Sequence, residues 1–489
     1  MQLLNPSLAL LATLGLGACS PAPKEPKDNN RQKPNIIYIL ADDLGYGDLG
    51  CYGQKTLKTP HLDQMAREGI RFTQHYAGSP VCAPSRASLM TGRDPGHCRV
   101  RGNYETGPHG FGGELELLPT DVTIAEILKR AGYQTALVGK WGLGMDGTTG
   151  EPNKKGFDYS YGFLNQAHAH NQFPEYMFRN GIKQEVPENR GGKCNYFSND
   201  IFTDDAISFL EQRKDSPFFL YLAYVTPHAE MLVPEDSIFN SYKGKFKETP
   251  FVMGTDGSNG TDPFGAYRSQ SYPEAAFASM ITHIDNDVQK VLDKLKELGI
   301  DKNTLVVFSS DNGPHKEGGN NPYYFDSNGS QRGIKRDLYE GGIRVPFIVR
   351  WPGVIKQEQE SNQISAFWDI LPTFAELTHV DISKDTVEGV SLVPTLLDDP
   401  DKQKQHPFLY WEFHENKYSD QAVRMGKWKA IRHDPDGQME LYNLEVDREE
   451  QNDLATEYPG IVGKMDSIMG HSRAENPYFP LKRSNDRKR

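Results

Sequence analysis

From Pro34 to about Pro394 the chain alternates short apolar runs with amphipathic ones, and this alternation limits its fold more than any other feature. Strand, helix, strand in succession predicts an α/β architecture whose large, mainly parallel sheet is flanked by helices. "NIIYIL" (Asn35 to Leu40), "YQTALV", "FFLYLAYV" (Phe218 to Val225), "TLVVFSS" (Thr304 to Ser310) and "VPFIVRW" (Val345 to Trp351) read as strands. "TPHLDQMAREG" reads as a helix with Thr59 as its N-cap, Pro60 in its first position and Gly69 as its stop. "DVTIAEILKRAG" and "EAAFASMITHIDNDVQKVLDKLKELG" are two more helices. The polar break "DDPDKQK" (Asp398 to Lys404) closes this α/β region, expected over residues 34–397. Beyond it "PFLYWEF", "QAVRMGKWKAIR" and "MELYNL" predict a small antiparallel sheet with a closing helix, an α+β subdomain over 398–489, with the basic tail "LKRSNDRKR" solvated. A chain of 489 residues is long enough for both.

The apolar run "LALLATLGLGAC" is too short to span a bilayer and reads as a signal peptide over residues 1–19. Its end, Leu16-Gly17-Ala18-Cys19, resembles a bacterial lipobox, in which Cys19 becomes the lipidated first residue of the mature protein. Residues 20–33, rich in Pro and charge, form a tether. The expected location is therefore the periplasm or the cell surface, anchored to the outer membrane by lipid alone. A net charge of −12 argues against nucleic-acid partners and demands a local positive site for any anionic substrate. In an oxidising compartment Cys51, Cys82, Cys98 and Cys194 have the number for two disulfides.

Ligands of open α/β sheets bind at the carboxyl ends of the strands, so the residues that follow each strand carry the search for a site. Those residues are Asp42-Asp43, Gly139-Lys140-Trp141, Thr226-Pro227-His228 and Asp311-Asn312-Gly313. Asp42, Asp43, Asp311 and Asn312 are hard oxygen ligands suited to Ca²⁺ or Mg²⁺, and three converging carboxylates repel one another without a cation. "GYGDLG" (Gly45 to Gly50) has the form of a dinucleotide fingerprint, yet Asp42, Asp43 and Asp48 would crowd a pyrophosphate, so its glycines are expected to let the backbone turn tightly around a metal. In "SPVCAPSRASLMTGR" a helix is expected to begin near Pro84, which puts Cys82 at its positive end with Arg86 one turn in; both favour an anionic atom there. A thiolate nucleophile fits that position, although no base stands beside it in the sequence.

"CAPSRASLMTGR" resembles the Cys-x-Pro-Ser-Arg signature of type I, formylglycine-dependent sulfatases, and "GYQTALVGKWGLG" resembles their second signature. "ADDLGYGDLG", "SSDNGPH", "LYEGGIRVPFIVRWPG" and the closing "ELYNLEVDREEQNDLA" extend the similarity over nearly the whole mature chain. The resemblance implies an alkaline-phosphatase-like fold and a bacterial carbohydrate sulfatase or arylsulfatase. It implies that a separate maturation enzyme converts Cys82 to formylglycine, whose hydrate attacks sulfur, with Ca²⁺ held by Asp42, Asp43, Asp311, Asn312 and the group made from Cys82. Asp311 would take the nucleophile's proton, Arg86, Lys140 and Lys335 would supply positive charge, and His228 would protonate the leaving oxygen. Many relatives carry His two residues after the second-signature lysine, where this chain has Gly142; His168 and His170 in "NQAHAHNQFPEY" are the candidate replacements, or substrate-binding groups. The aromatic, polar stretch around them suits a sulfated saccharide, and the resemblance of "GKWGLG" and "NGSQRGIKRDLYEGG" to bacterial sulfatases implies a lean toward galactose or N-acetylgalactosamine units. A phosphodiesterase or phosphonate hydrolase on the same fold and a non-catalytic glycan-binding lipoprotein are the alternatives. With Cys82 consumed, at most one disulfide is left to Cys51, Cys98 and Cys194.

Overall fold

A computed structural model describes residues 33–103, 115–255 and 266–485. The signal segment, Cys19, the tether up to residue 32 and the last four residues of the basic tail lie outside the described residues. Among these residues the strands are β1 (Asn35–Asp42), β2 (Ile70–Phe72), β3 (His75–Tyr76), β4 (Gln134–Lys140), β5 (Tyr159–Phe163), β6 (Tyr176–Arg179), β7 (Ile182–Glu185) and β8 (Phe218–Pro227). They continue with β9 (Thr304–Ser310), β10 (Phe347–Arg350), β11 (Gln359–Ser361), β12 (Ser365–Ala366), β13 (Leu409–Phe413), β14 (Asp420–Met425), β15 (Trp428–Arg432) and β16 (Glu440–Asn443).

One sheet runs in the order β11-β2-β10-β9-β1-β8-β4-β5-β6-β7. Its centre, β9-β1-β8-β4-β5, is parallel as expected. The flanks are not: β10 is antiparallel to both β9 and β2, and β5-β6-β7 is an antiparallel meander, so the sheet is mixed. The chain leaves β9 at Ser310 and re-enters at Phe347 without crossing back over the sheet, and such a connection can only give an antiparallel neighbour.

Side chains alternate between two cores, as a period of two requires. Ile37, Ile39 and Ala41 of β1 face the helices Ser198–Arg213 and Pro273–Glu297, while Ile36, Tyr38 and Leu40 face Cys82–Thr91, Ile124–Arg130 and Ile370–Leu377. The parallel register levels the strand ends. Ala41 pairs with Ser310, Asp42 with Pro227, and Gly139 with Ala223, so Asp311, His228 and Lys140 emerge beside Asp42.

β13 to β16 form the expected antiparallel sheet. Helix Pro459–His471 covers one face through Met465 and Met469; the other face packs Trp411, Phe413, Ala422 and Ile431 on Tyr76, Val81, Ile343 and Trp368. The Trp411 indole N–H donates to the Ala77 carbonyl across that seam, at 3.0 Å. Cys51, Cys82, Cys98 and Cys194 are all free thiols, so neither disulfide is formed. Their surroundings explain why: Cys98 is buried against Thr91, whereas Cys194 lies on the surface beside Arg268.

Candidate active site

β1 ends in a register irregularity between Leu40 and Asp42, and Asp43 takes a left-handed φ of 63°. Two successive residues of a strand point to opposite faces, so this break is what lets Asp42 and Asp43 serve one site; a non-glycine in that region costs about 1–3 kcal/mol and clusters at functional sites. The helix that follows starts at Cys82 itself, two residues before the expected Pro84, which places the thiol in the first turn. Gly92, at φ 65°, ends this helix, and its amide donates to the Ser88 carbonyl at 3.0 Å.

The Cys82 Sγ lies 3.5 Å from Asp42 Oδ1 and 3.9 Å from Asp43 Oδ1. Burial pushes this thiol well above its usual range, against the nearby Lys140 and Lys335 charges, which disfavours a thiolate in the metal-free site. Arg86 is saturated by internal acceptors. Its Nε and Nη2 donate to Asp311 Oδ2 at 3.0 and 2.8 Å, Nη2 to Asp42 Oδ1 at 3.2 Å, and Nη1 to the Lys140 carbonyl at 3.1 Å. It holds the carboxylates in place. The Lys140 ammonium donates to Asp42 Oδ2 at 2.7 Å, and Lys335 donates to Asp43 Oδ2 at 2.7 Å. The three carboxylates converge as the sequence suggested, and three buried cations are interleaved with them.

Burial opposes ionisation of Asp42, but Lys140 and Arg86 outweigh it and hold that carboxyl well below its usual range. Asp311 goes the other way: burial, together with the Asp42 charge, pushes it up to about 7. Its Oδ1 accepts the Asp43 amide at 3.0 Å. The Asn312 amide nitrogen donates to Asp43 Oδ1 at 2.6 Å, while its buried Oδ1 has no hydrogen-bond partner. One oxygen each from Asp42, Asp43 and Asp311 and the Cys82 sulfur all lie within 4.8 Å of one another. An orphaned amide oxygen beside crowded carboxylate oxygens is the donor set of a hard divalent cation, so these residues fit Ca²⁺.

His228 is buried, its Nδ1 2.6 Å from the Ala229 carbonyl and its Nε2 2.8 Å from the Lys335 ammonium. Burial and the Lys335 charge hold its pKa well below the usual value, so Nδ1 donates to the carbonyl and Nε2 accepts from lysine. His170 stacks on the His228 ring at 4.6 Å and 11°. His168 does not reach the site. Residues 168–170 form a 3₁₀ turn instead of an extended strand, which sends the His168 ring into an aromatic cluster, 4.8 Å from Phe163 and 4.3 Å from Tyr176. Gly142 sits at φ 75°, and a Cβ there would meet Gln166 Nε2 at 2.0 Å. The Gln166 amide fills the space a side chain at 142 would need.

The glycines of "GYGDLG" have another use than the expected one. A Cβ on Gly45 would meet the Ser327 carbonyl oxygen at 2.0 Å, and one on Gly47 the Asp326 carbonyl oxygen at 2.2 Å. They admit the 326–327 backbone, not a metal. Sequence reading missed Glu317, whose Oε2 lies 3.4 Å from both Lys335 Nζ and His228 Nε2. Its signal was present: Glu317 follows Asp311 and Asn312 in the same strand-end loop.

A sheet that gathers oxygen ligands, buried cations and a helix N-terminus at one end defines a hydrolytic centre for esters of tetrahedral oxyanions. The sulfatase pattern matches residues 34–380, and the C-terminal pattern of N-sulphoglucosamine sulphohydrolase matches 333–473. The chain belongs to the sulfatase family and is a sulfuric ester hydrolase. It is 34% identical over 419 residues to an arylsulfatase of Hemicentrotus pulcherrimus, with 81% of this chain and 67% of that one covered. It is 29% identical over 545 residues to the N-acetylgalactosamine-6-O-sulfatase of Bacteroides thetaiotaomicron, covering 95% and 97%. The solved structure of Ps i-CgsB in complex with k-i-k-neocarrahexaose is similar with a TM-score of 0.75 at 28% identity, covering 94% of this chain and 96% of that one.

Proposed function

We propose that this sulfatase removes sulfate from a saccharide of the galactose or N-acetylgalactosamine series, using a formylglycine made from Cys82 and a bound Ca²⁺. The observation that carries the reading is the Cys82 sulfur, buried against Asp42 and Asp43 where a thiolate is disfavoured but a hydroxyl on a cation is not. The activity in the name of the Bacteroides thetaiotaomicron relative, aligned over nearly the full length, supports the sugar class. Asp42, Asp43, Asp311 and Asn312 would hold the cation, which when bound supplies Lewis acidity at the sulfuryl oxygens; Mg²⁺ would use the same ligands.

Around that centre each side chain has a stated task. Asp311, with a carboxylate oxygen within 4.8 Å of the Cys82 sulfur, is the base for the attacking hydroxyl. Lys140 spends one donor on Asp42 and Lys335 spends donors on Asp43 and His228, and both ammonium groups lie where a sulfate would need them. Arg86 acts through the carboxylates it positions. The leaving oxygen takes its proton from the His228–Lys335 pair, since His228 alone is held neutral. His170, stacked on His228, is the nearer replacement for the residue absent at Gly142.

Cys82 is only 2% exposed, so the maturation enzyme has to act before the chain closes. Export as a lipoprotein lipidated at Cys19 belongs to the same proposal and is supported by the lipobox-like sequence; Cys19→Ala is expected to move the protein from the membrane fraction to the soluble one. The central test is mass spectrometry of the peptide carrying Cys82 from active enzyme, with sulfate release from N-acetylgalactosamine 6-sulfate measured on the same sample. An aldehyde at position 82 with release is expected; full activity with an intact thiol would overturn the mechanism.

A further inference from the structure

Beside the buried centre a second set of polar side chains is linked by hydrogen bonds and ion pairs. The amide of Ala83, next to Cys82, donates to Asn103 Oδ1 at 3.0 Å, and the Asn103 amide donates to Glu415 Oε1 at 2.7 Å. Glu415 Oε2 lies 3.8 Å from Arg336 Nε, and Arg336 Nη1 donates to Glu317 Oε1. Glu317 Oε2 closes the ring on Lys335 and His228 and accepts from the Tyr267 hydroxyl at 3.3 Å. Unlike the buried charges beneath them, the Arg336, Glu415 and Glu317 side chains are 46%, 25% and 19% exposed. They adjoin the buried centre and are partly exposed to solvent. Arg336 holds a φ of 77°, with its amide bonded to the Pro80 carbonyl at 3.0 Å, so the backbone at this point is fixed against the loop that precedes Cys82.

We infer that Glu317, Arg336 and Glu415 form the subsite for the sugar that carries the sulfate, and that this subsite takes an uncharged, hydroxyl-rich ring in preference to a hexuronate. This rests on the glycan reading above. Carboxylates at the two ends accept from sugar hydroxyls, and the guanidinium between them donates to a hydroxyl or ring oxygen. A carboxylate on the sugar would meet Glu317 and Glu415, while Arg336, which lies between them among the described residues, is already shared by both. Glu415 follows β13 directly, so the small C-terminal sheet supplies part of the specificity.

The test compares kcat/KM for N-acetylgalactosamine 6-sulfate, a 2-sulfated hexuronate and 4-nitrophenyl sulfate, which lacks sugar hydroxyls. Glu415→Ala and Arg336→Ala are expected to lower the ratio of hexosamine sulfate to aryl sulfate by about tenfold or more, mainly through KM. The isosteric Glu415→Gln, with melting temperatures for all variants, guards against loss of folding. A parallel fall on hexosamine and aryl substrates in folded variants assigns a structural role and overturns the subsite, as does a wild-type preference for the hexuronate. Turnover of the hexosamine sulfate by wild type with every variant unchanged removes the subsite alone. Failure of wild type on every saccharide removes the glycan reading and the subsite together.

Discussion

Two buried charge clusters in this protein are built from similar groups and end differently. At the seam with the small sheet, Lys429 Nζ lies 3.0 Å from Glu340 Oε1 and 2.9 Å from Glu450 Oε1. Arg344 Nη1 lies 3.2 Å from Glu340 Oε2, which also accepts the Tyr76 hydroxyl at 2.8 Å, and the Glu340 amide donates to Glu450 Oε2 at 2.6 Å. Two cations meet two carboxylates, and Glu450 Oε1 is held by the Lys429 charge without a hydrogen bond. At the strand ends three cations also meet three carboxylates, yet Asn312 Oδ1 is left over and the rim opens through Glu317 and Arg336. The seam cluster, whose oxygens all belong to carboxylates ion-paired within the chain, ties two sheets together. The strand-end cluster keeps an uncharged amide oxygen beside its carboxylates, a donor a hard divalent cation would use.

The sharpest way to separate the two is to remove a cation from the closed one. Lys429→Met leaves Glu340 and Glu450 buried together and is expected to cost about 3–5 kcal/mol of stability. Thermal melting reads the loss, while kcat/KM of the folded enzyme stays near wild type; a matching collapse of turnover would show that the seam is part of the catalytic unit.

The next effect is smaller and concerns pH. Burial first, and neighbouring carboxylates second, push Asp311 up to about 7; burial likewise lifts Glu450 to about 7, against Lys429. Groups raised in the folded state keep protons that the unfolded chain has lost, so both clusters lose stability as pH rises from about 4 to about 7. Only the open cluster can be rescued by a cation. Ca²⁺ added to metal-free protein is expected to raise stability by about 2–3 kcal/mol more at pH 7.5 than at pH 5, because protons compete for Asp311. Equal stabilisation at both values would remove Asp311 from the ligand set.

The smallest effect tests the two histidines. His170→Ala is expected to lower kcat about tenfold by freeing the His228 ring. His168→Ala empties space between Phe163 and Tyr176 and is expected to cost about 1–3 kcal/mol of stability with kcat unchanged. Equal kcat losses would return both to the site.

Much of this site was legible before any coordinates. The strands announce themselves by apolar runs, and Asp42, Asp43, Lys140, His228, Asp311 and Asn312 stand directly at their ends, because position along a strand is a local property. Lys335 differs in kind: it arrives on the long 311–346 excursion, whose path no periodicity describes. His168 and His170 share a face in a strand and diverge in a 3₁₀ turn, so their roles could not be ranked from spacing. The direction of β10 was equally hidden, since an apolar pentapeptide reads the same in either sense.

The sequence by itself determined the α/β alternation, the strand-end chemistry and the small C-terminal sheet, because each depends on residues near one another in the chain. Only the tertiary structure decided that Arg86 serves the carboxylates, that Gln166 occupies the space above Gly142, and that Glu415 reaches Asn103 across 312 positions. Those outcomes depend on strand register and on loop paths. Register is set by packing over the whole sheet, and a local pattern cannot encode which distant side chain will fill a given space.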